Sequence, residues 1–389
     1  MNNSKKVYGI PADVNEEDTK RFLENTGVKT KEDGMLFSML PHMNLFSENA
    51  EKSYLDENIV STRIITDPSD GYRFLHEAAL IEYKGCIFAA WYNCQDKELD
   101  GATPIRWTKT RISPEKWDEP HMLVFDANGK LLYCPPVFGV CDGKLYMFIN
   151  SMVSPDHIHS LDLYVYEETR GEFAFMRSEA LPFKLNTNVY TLSNGKLILP
   201  GRIAPEIDEF PSVPAVLISD SGKTDTKWRL VKIMNDRFLP DKSNLVHCEL
   251  SLIECGGRLY AFSRNDLRNV PIVFVSNDFG ETWSEPVSHD IPFSAAKIYS
   301  GTLSDGRNYL IGNKEPGRNE LDLYVSEKNS MEFTKAYVLQ NAKNQKLGLG
   351  NEWIYPAAHE ADGKLYIICT VGYDGVRRAA VMSLDTGKI

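Results

Sequence analysis

The chain has 389 residues, of which 42% are hydrophobic, enough to bury a large core. Its formal net charge of −11 argues against nucleic acid or an anionic membrane surface as a partner. No apolar run is long enough to span a bilayer, and the N-terminal residues lack the apolar region of a secretory signal. As written, the sequence therefore predicts a cytoplasmic protein, or a periplasmic or secreted one if a signal has been removed.

The beginning of the chain differs from the rest. Residues 1–54 are predicted to form an N-terminal extension, in which the acidic stretch Asn15–Glu24 favours a short helix. The remainder of this extension is expected to cover the outside of the first and last repeats. Residues 55–389 are predicted to form a single repeating β domain.

From residue 76 onward, one sequence pattern recurs six times. Each copy is a short apolar strand, a glycine-centred turn and a second strand rich in Leu, Tyr, Phe and Ile. The turns lie about 50 to 60 residues apart and are centred on Gly85, Gly143, Gly195, Gly257, Gly306 and Gly363. Such a repeat, with several strands per unit, is typical of a β-propeller. The sequence predicts an all-β fold, a six-bladed β-propeller with four-stranded blades.

The fourth copy has a distinctive tail with the pattern S-x-D-x-G-x-x-W. Its members are Ser276, Asp278, Gly280 and Trp283. The Ser and Asp side chains are suited to bond turn amides, the glycine permits positive φ, and the tryptophan can fold back onto a neighbouring sheet. The last copy has no fourth strand of its own, so closure of the ring predicts that a strand within residues 55–68 completes it.

The seven cysteines are odd in number and several lie in apolar strands, which favours reduced, buried thiols over a disulfide framework. The chain has no C-x-x-C and no H-E-x-x-H motif. The sequence therefore predicts neither a metal nor another cofactor.

Polar residues occupy corresponding places in several copies. Counting eight residues back from the turn glycine gives Glu77, Glu249 and Tyr355, and counting seven forward gives Arg202 and Arg264. Because the inner strands of a propeller converge on its axis, these side chains are expected to face one concavity. A cluster of titratable groups in a concavity is a candidate active site.

The S-x-D-x-G-x-x-W turn and these polar residues resemble the sialidase superfamily of six-bladed propellers, over about residues 70–389. The resemblance implies an exo-acting glycoside hydrolase that cleaves a terminal, acidic sugar from a glycan. In that family arginines bind the substrate carboxylate and a glutamate activates a tyrosine nucleophile. By resemblance Tyr355 is the nucleophile, Glu249 its base, and Arg264 and Arg318 bind the carboxylate.

The resemblance also implies a general acid on a mobile loop, here Asn93–Pro104. That loop offers Asp96, Glu98 and Asp100, and Asp100 is favoured because Gly101 beside it permits movement.

The first copy departs from the family, which has an arginine before the first inner strand where this chain reads YRFLHEAAL. Either Arg73 reaches the site from another direction, or His76 takes the arginine's place. Glu77 and Arg202 are further candidates for substrate binding, and Trp91 is a candidate for stacking on a sugar ring.

Three functional hypotheses follow, all with a carbohydrate as the binding partner. The first is the sialidase-type hydrolase. The second is a propeller enzyme of other chemistry, an α-L-rhamnosidase-like hydrolase or a uronic-acid lyase, that uses His76 with Glu77 or Tyr355 as base. The third is a non-catalytic glycan-binding propeller. The sequence specifies neither the sugar and linkage nor the oligomeric state.

Overall fold

The computed structural model describes residues 31–55, 60–66, 71–112, 116–155, 157–203, 212–224, 227–234, 238–266, 270–314, 317–341, 352–373 and 375–389. Within these ranges the chain forms the helix α1 (Lys31–Met39), a short 3-10 turn (Thr386–Lys388) and six β-sheets. The helix predicted at Asn15–Glu24 lies outside the described residues.

Three strands precede the repeats: β1 (His42–Met43), β2 (Phe46–Tyr54) and β3 (Val60–Ile64). Blade one contains β4 (Phe74–Tyr83), β5 (Cys86–Cys94), β6 (Ile105–Arg111) and β7 (His121–Val124). Blade two contains β8 (Leu132–Cys141), β9 (Lys144–Ser154), β10 (His157–Glu167) and β11 (Glu172–Glu179). Blade three contains β12 (Phe183–Leu185), β13 (Tyr190–Thr191), β14 (Leu197–Ile203), β15 (Val213–Ser219) and β16 (Arg229–Lys232).

Blade four contains β17 (Leu250–Cys255), β18 (Arg258–Ser263), β19 (Ile272–Ser276) and β20 (Val287–His289). Blade five contains β21 (Tyr299–Thr302), β22 (Arg307–Asn313), β23 (Glu320–Lys328) and β24 (Phe333–Asn341). Blade six contains β25 (Glu352–Ala361), β26 (Lys364–Tyr373) and β27 (Val376–Asp385). In blade three the innermost position is divided, since both β12 and β13 pair with β14.

The sheets are arranged as a six-bladed β-propeller, as predicted. Inner strands of neighbouring blades pack against one another, β4 with β8, β17 with β21, β21 with β25, and β25 with β4. All six predicted turn glycines have positive φ, between 67° and 91°. The hydrophobic core lies between the blades in interleaved clusters of strand residues.

The ring is closed by a strand from the N-terminal side, which confirms the predicted closure. β3 pairs antiparallel with β27 as the outermost strand of blade six, with Val60 opposite Leu384 and Ile64 opposite Ala380. Joining distant parts of the chain in one blade removes an open sheet edge.

The segment before β3 packs elsewhere than expected. β1 pairs parallel with β20 on blade four, and β2 pairs parallel with β24 on blade five, whereas blades one and six were predicted. The outer strands of blades four and five have backbone groups free to pair with a further strand. The backbone of residues 42–54 supplies the hydrogen-bond partners of these groups.

The tail of blade four forms the predicted turn. Ser276 Oγ accepts a hydrogen bond from the amide of Gly280 (2.8 Å), and Asp278 Oδ1 accepts one from the amide of Thr282 (2.9 Å). Gly280 has φ of 91°. The indole of Trp283 donates to the Gly280 carbonyl (3.0 Å) and packs against the core between blades three and four. The motif is thus a structural clamp between neighbouring blades.

One buried histidine makes the stability of this core dependent on pH. His289 is 1% exposed, lies between Phe262 and Phe293, and neither of its ring nitrogens has a hydrogen-bond partner in the described part of the chain. Burial, assisted by His42, lowers its pKa from the usual 6.5 to about 3. Between these two values the unfolded chain binds the extra proton, so the free energy of unfolding falls as the pH falls.

The expected loss from this one group is about 2 to 3 kcal/mol between pH 6.5 and pH 4.5, from about 1.4 kcal/mol for each unit. Urea denaturation at these two pH values measures it. His289→Leu replaces the imidazole by an apolar side chain of similar size and is expected to flatten the pH dependence of the unfolding free energy. His159→Leu, at an exposed position, is the control and is expected to have little effect on it. An equally steep pH dependence in His289→Leu and in the unmodified protein would contradict this assignment.

Candidate active site

Two inner strands bulge where they approach the propeller axis. The register of β4 against β5 shifts just before Ala79, and that of β25 against β26 just before Ala357. Within the bulges Glu77 and Tyr355 have φ of 45° and 56°, a left-handed conformation that such side chains rarely adopt. A bulge re-aims a side chain, and backbone strain of this kind clusters at functional sites.

A buried guanidinium links the predicted nucleophile to its predicted base. Arg264 Nη1 donates to the hydroxyl of Tyr355 (2.7 Å) and to Glu249 Oε2 (2.8 Å). Its Nε donates to Asp266 Oδ1 (2.6 Å), and the other oxygen of Asp266 contacts the ring of His247 (2.8 Å). The structure therefore brings the side chains of blades four and six together through one shared nitrogen.

The charge states of this group follow from burial and from its neighbours. Burial raises the pKa of Tyr355 well above its usual value, despite the opposing charge of Arg264. Burial alone also raises the pKa of Glu249, but the positive charges of Arg264 and Lys297 outweigh it, and the pKa is lowered. At neutral pH the site thus holds a neutral phenol beside a carboxylate.

Arg318 supplies a second guanidinium at Tyr355. Its guanidinium carbon lies 6.0 Å from the centre of the Tyr355 ring, and Nη2 donates to the carbonyl of Ala295 (3.2 Å). Among the described residues Arg318 has no carboxylate partner, in contrast to Arg264. This side chain is therefore the cation best placed to meet an anionic group brought by a ligand.

His76 lies beside Tyr355 at the axis. It is 1% exposed, its ring centre lies 4.0 Å from that of Tyr355, and Nδ1 lies 3.3 Å from Thr370 Oγ1. Burial, followed by the charge of Arg377, lowers its pKa well below the usual value, so the ring is neutral. Arg73 is exposed one residue before β4. His76 thus places a neutral ring, and no positive charge, beside Tyr355.

Sequence reasoning missed Lys297, a buried amine at the same site. Its Nζ lies 3.0 Å from Glu77 Oε2 and 5.5 Å from the centre of the Tyr355 ring, and the thiol of Cys134 lies 3.6 Å from Glu77 Oε1. Both charged side chains are at most 8% exposed. Glu77, predicted to bind substrate, is therefore one half of a buried ion pair.

A signal for Lys297 was present in the sequence. It lies nine residues before the turn glycine Gly306, and His76 lies nine residues before Gly85. Extending by one residue the count that placed Glu77, Glu249 and Tyr355 would have placed Lys297 at the axis. We refer to Glu249, Arg264, Lys297, Arg318 and Tyr355 as the axial cluster.

The remaining candidates lie at different depths. Arg202, at the end of β14, is 4% exposed, and its charge lowers the pKa of Glu249, which places it beside the axial cluster. Trp91 is 1% exposed, and its indole donates to Asn93 Oδ1 (2.8 Å). Its ring lies in the core between blades one and six, because β5 directs it away from the axis.

The loop with the predicted general acid contacts the site through a residue other than Asp100. Glu98 Oε1 accepts a hydrogen bond from Tyr92 (3.4 Å), and the Tyr92 ring lies 6.0 Å from that of His76. Asp96 is exposed and Asp100 is half-buried. The loop thus carries three carboxylates, and one of them, Glu98, contacts Tyr92, which lies beside His76.

No three His, Cys, Asp or Glu side chains in the described ranges lie together as a metal centre requires. None of the helices in the part of the chain that the structure describes is long and apolar enough to cross a membrane.

The six sheets and the strand that closes their ring define a six-bladed β-propeller with a sialidase-like fold. Residues 85–367 match the BNR repeat-like domain family, and the chain belongs to that family. The chain matches none of the curated proteins.

Several solved structures share the fold. A protein of unknown function from Dyadobacter fermentans is 15% identical, with a TM-score of 0.66 over 84% of this chain and 99% of that one. Trypanosoma rangeli sialidase in complex with sialic acid is 14% identical, with a TM-score of 0.64 over 85% of this chain and 59% of that one. A mutant of the NanB sialidase from Streptococcus pneumoniae is 13% identical, with a TM-score of 0.59 over 82% of this chain and 69% of that one. This chain thus spans about three fifths of the trypanosomal sialidase.

Proposed function

We propose that this protein is an exo-acting, retaining glycoside hydrolase that removes a terminal, acidic sugar from a glycan. One observation carries the proposal: a single nitrogen of Arg264 is bonded to both Tyr355 and Glu249, with Arg318 beside the same tyrosine. Sialic acid, which is bound in the structure of Trypanosoma rangeli sialidase, is an acidic sugar and agrees with this substrate class.

The substrate carboxylate binds to the guanidiniums of Arg318 and Arg264. Guanidinium and carboxylate form short, charge-assisted hydrogen bonds, and the planar fork fixes the orientation of the sugar. A carboxylate beside the reacting carbon would repel a charged nucleophile, whereas the phenol of Tyr355 is neutral because burial raises its pKa. The charge states of the site thus suit an acidic sugar.

Substrate binding also prepares the base. In the free protein Arg264 is shared between Glu249 and Tyr355, and its charge helps to keep the pKa of Glu249 low. A substrate carboxylate that engages Arg264 offsets this charge and makes Glu249 a stronger base. Glu249 then accepts the phenolic proton as the oxygen of Tyr355 attacks the anomeric carbon.

The leaving group departs with a proton from a carboxylic acid on the loop after β5, for which Asp96, Glu98 and Asp100 are the candidates. Attack by Tyr355 forms a bond from its oxygen to the sugar and breaks the glycosidic bond. The same loop carboxylate then deprotonates a water molecule, whose oxygen attacks the anomeric carbon. The bond between the sugar and Tyr355 breaks, and Glu249 returns its proton to the phenol oxygen. Two displacements at one carbon give net retention.

A uronic-acid lyase is the second candidate, favoured by the close contact of His76 and Tyr355. Their ring centres lie 4.0 Å apart, and His76 is held neutral by burial. A neutral imidazole beside a phenol can abstract a proton next to a carboxylate while the phenol protonates the leaving oxygen. Arg318 would then neutralise the uronate carboxylate.

The product distinguishes the two candidates. The purified protein is incubated with aryl glycosides of sialic acid, glucuronic acid and rhamnose, and separately with uronate-containing oligosaccharides. Release of the aryl alcohol from an acidic glycoside, with no ultraviolet absorbance from an unsaturated sugar, supports the hydrolase. Unsaturated products from the oligosaccharides support the lyase, and cleavage of the rhamnoside alone contradicts the assignment of an acidic sugar.

Arg318→Ala is expected to raise KM for a carboxylate substrate by roughly 10- to 150-fold. This corresponds to the loss of about 1.5 to 3 kcal/mol for a hydrogen bond to a charged group. Because the guanidinium binds the substrate in both ground and transition state, kcat is expected to change less than KM. Steady-state kinetics on the best substrate of the screen give both constants.

Arg318→Lys is the matched control, since it keeps the charge and loses the fork; it is expected to fall between the alanine variant and the unmodified protein. A methyl ester of the same substrate is expected to be insensitive to Arg318→Ala. If the acid and its ester respond equally, Arg318 does not read the carboxylate.

A further inference from the structure

A cleft opens between blade one and blade six, beside the axial cluster. Its walls come from the end of β3 and the start of β27 on one side, and from β5, β6 and the segment before β7 on the other. The volume is about 720 Å³, within the range of cavities that hold small-molecule ligands. The cleft is formed by residues outside the axial cluster.

The cleft is basic although the protein is acidic. Four basic and two acidic side chains line it, while the whole chain carries a net charge of −11. The basic residues are Arg63, Arg106, Lys116 and Arg377, and the acidic ones are Asp118 and Glu119. A local excess of positive charge attracts anions, even when the net charge of the whole protein is negative.

Aromatic side chains accompany these charges. The guanidinium of Arg106 lies over the ring of Tyr72, 4.6 Å from its centre. Stacking of this kind fixes the plane of a guanidinium, whose edge matches a carboxylate or a sulfate group. Trp117 also lines the cleft and is half-buried. Planar cations beside aromatic rings are suited to sugars that carry acidic groups.

Three direct contacts connect this cleft to the axial cluster. Arg377, on the cleft wall, lies over the ring of Phe74 at 4.6 Å. The Phe74 ring lies 5.7 Å from that of His76, and His76 lies 4.0 Å from Tyr355. The cleft wall and Tyr355 are therefore separated by two buried side chains, Phe74 and His76, so the cleft lies close to the proposed position of the terminal sugar.

We propose that the cleft binds acidic groups, carboxylate or sulfate, on the part of the glycan that follows the terminal sugar. The placement of the terminal sugar rests on the proposed function, but binding in the cleft requires no catalysis. The cleft thus makes the protein selective for polyanionic glycans over neutral chains that end in the same sugar.

The test measures binding by titration calorimetry in the Tyr355→Phe background, so that no probe is consumed. The probes are tetragalacturonate, which carries carboxylates, sulfated maltotetraose, which carries sulfates, and unmodified maltotetraose. At least one acidic probe is expected to bind tenfold or more tighter than the neutral one, and the stronger of the two identifies the acidic group.

Variants of the basic residues that line the cleft locate the binding. Arg63→Ala combined with Lys116→Ala, both at exposed positions, is expected to weaken binding of the acidic probe tenfold or more. Arg106→Ala, at a half-buried position, is expected to weaken it as well. Arg170→Ala, an exposed arginine on blade two, removes a charge elsewhere and is expected to change affinity less than twofold.

Several outcomes overturn the proposal: no binding by any probe, equal binding of acidic and neutral probes, or equal losses in the blade-two variant and the cleft variants. These outcomes do not touch the proposed function, which fails separately if the unmodified protein releases no sugar from any acidic glycoside.

Discussion

Replacing Tyr355 by phenylalanine is expected to lower kcat on the order of 10⁴-fold or more, while substrate affinity changes little. The substitution removes one oxygen and its hydrogen bond to Arg264 (2.7 Å) and leaves the ring that contacts His76. Loss of a nucleophile acts on the transition state and not on the bound ground state, so turnover falls far more than binding.

Steady-state kinetics and titration of a substrate analogue measure the two effects separately. Tyr260→Phe is the matched control, because this tyrosine is buried on β18 in the core between blades four and five and is expected to keep normal turnover. A Tyr355→Phe variant with full activity, together with an inactive His76→Ala variant, would exclude the tyrosine nucleophile. The histidine-based lyase would then be the better assignment.

The blades of this protein are predictable because their signal is local and repeated. Each turn needs a residue with positive φ, and glycine meets that need at all six turns, so Gly85 and its counterparts mark every hairpin. The closing strand was predictable for a global reason: the last blade lacked a strand, and a ring leaves only the other end of the domain to supply it.

The position of the N-terminal strands was not predictable in the same way. β1 and β2 add parallel to the outer edges of blades four and five. Parallel pairing at an edge involves backbone groups of distant segments, and it requires no turn residue or alternating pattern that marks its partner. The polar sequence of Phe46–Tyr54 gave no indication of which blade it joins.

Site residues at repeated positions of the blades were predictable. Features that depend on an irregular backbone were not. Counting from turn glycines placed Glu249, Arg264 and Tyr355, which the structure brings to one nitrogen atom. The bulge that gives Tyr355 its positive φ leaves no trace in strand alternation. Lys297 was missed because β21 is short and its preceding residues read as ordinary loop.

The general acid illustrates a different limit. The loop after β5 presents three carboxylates within five residues, and spacing gives each of them similar access to the axis. The contact of Glu98 with Tyr92 follows from the folded path of the loop and not from the sequence, and it does not decide which of the three is the acid. The neighbouring Asp100 was favoured on the flexibility of Gly101 alone.

Arg264→Ala is expected to lower the free energy of unfolding by about 3 to 5 kcal/mol, the largest stability effect of any axial substitution. Arg264 is 9% exposed and pairs with Glu249 (2.8 Å), which is buried, and with Asp266 (2.6 Å), whose side chain is 14% exposed. Its removal leaves both carboxylates without their main cation. Arg229→Ala is the control, because that arginine pairs with two acidic residues at an exposed position and is expected to cost about 1 kcal/mol or less.

The pH dependence of this loss tests its electrostatic origin. In the unmodified protein the pKa values of Glu249 and Asp266 are lowered, since Arg264 outweighs the opposite effect of burial; the stability they contribute is present above about pH 4 and is lost as the pH falls further. In Arg264→Ala the cation that acts most strongly on both carboxyl groups is lost while burial remains, so both pKa values are expected to rise and the folded variant binds protons at a higher pH than the unmodified protein. The difference in unfolding free energy between the two proteins is therefore expected to shrink from pH 8 to pH 5, as urea denaturation at both values would show.

Adding Glu249→Gln and Asp266→Asn to Arg264→Ala removes both unpaired charges and is expected to recover part of the loss at pH 8. A loss that is the same at both pH values, and that these amides do not relieve, would assign the role of Arg264 to packing and not to charge.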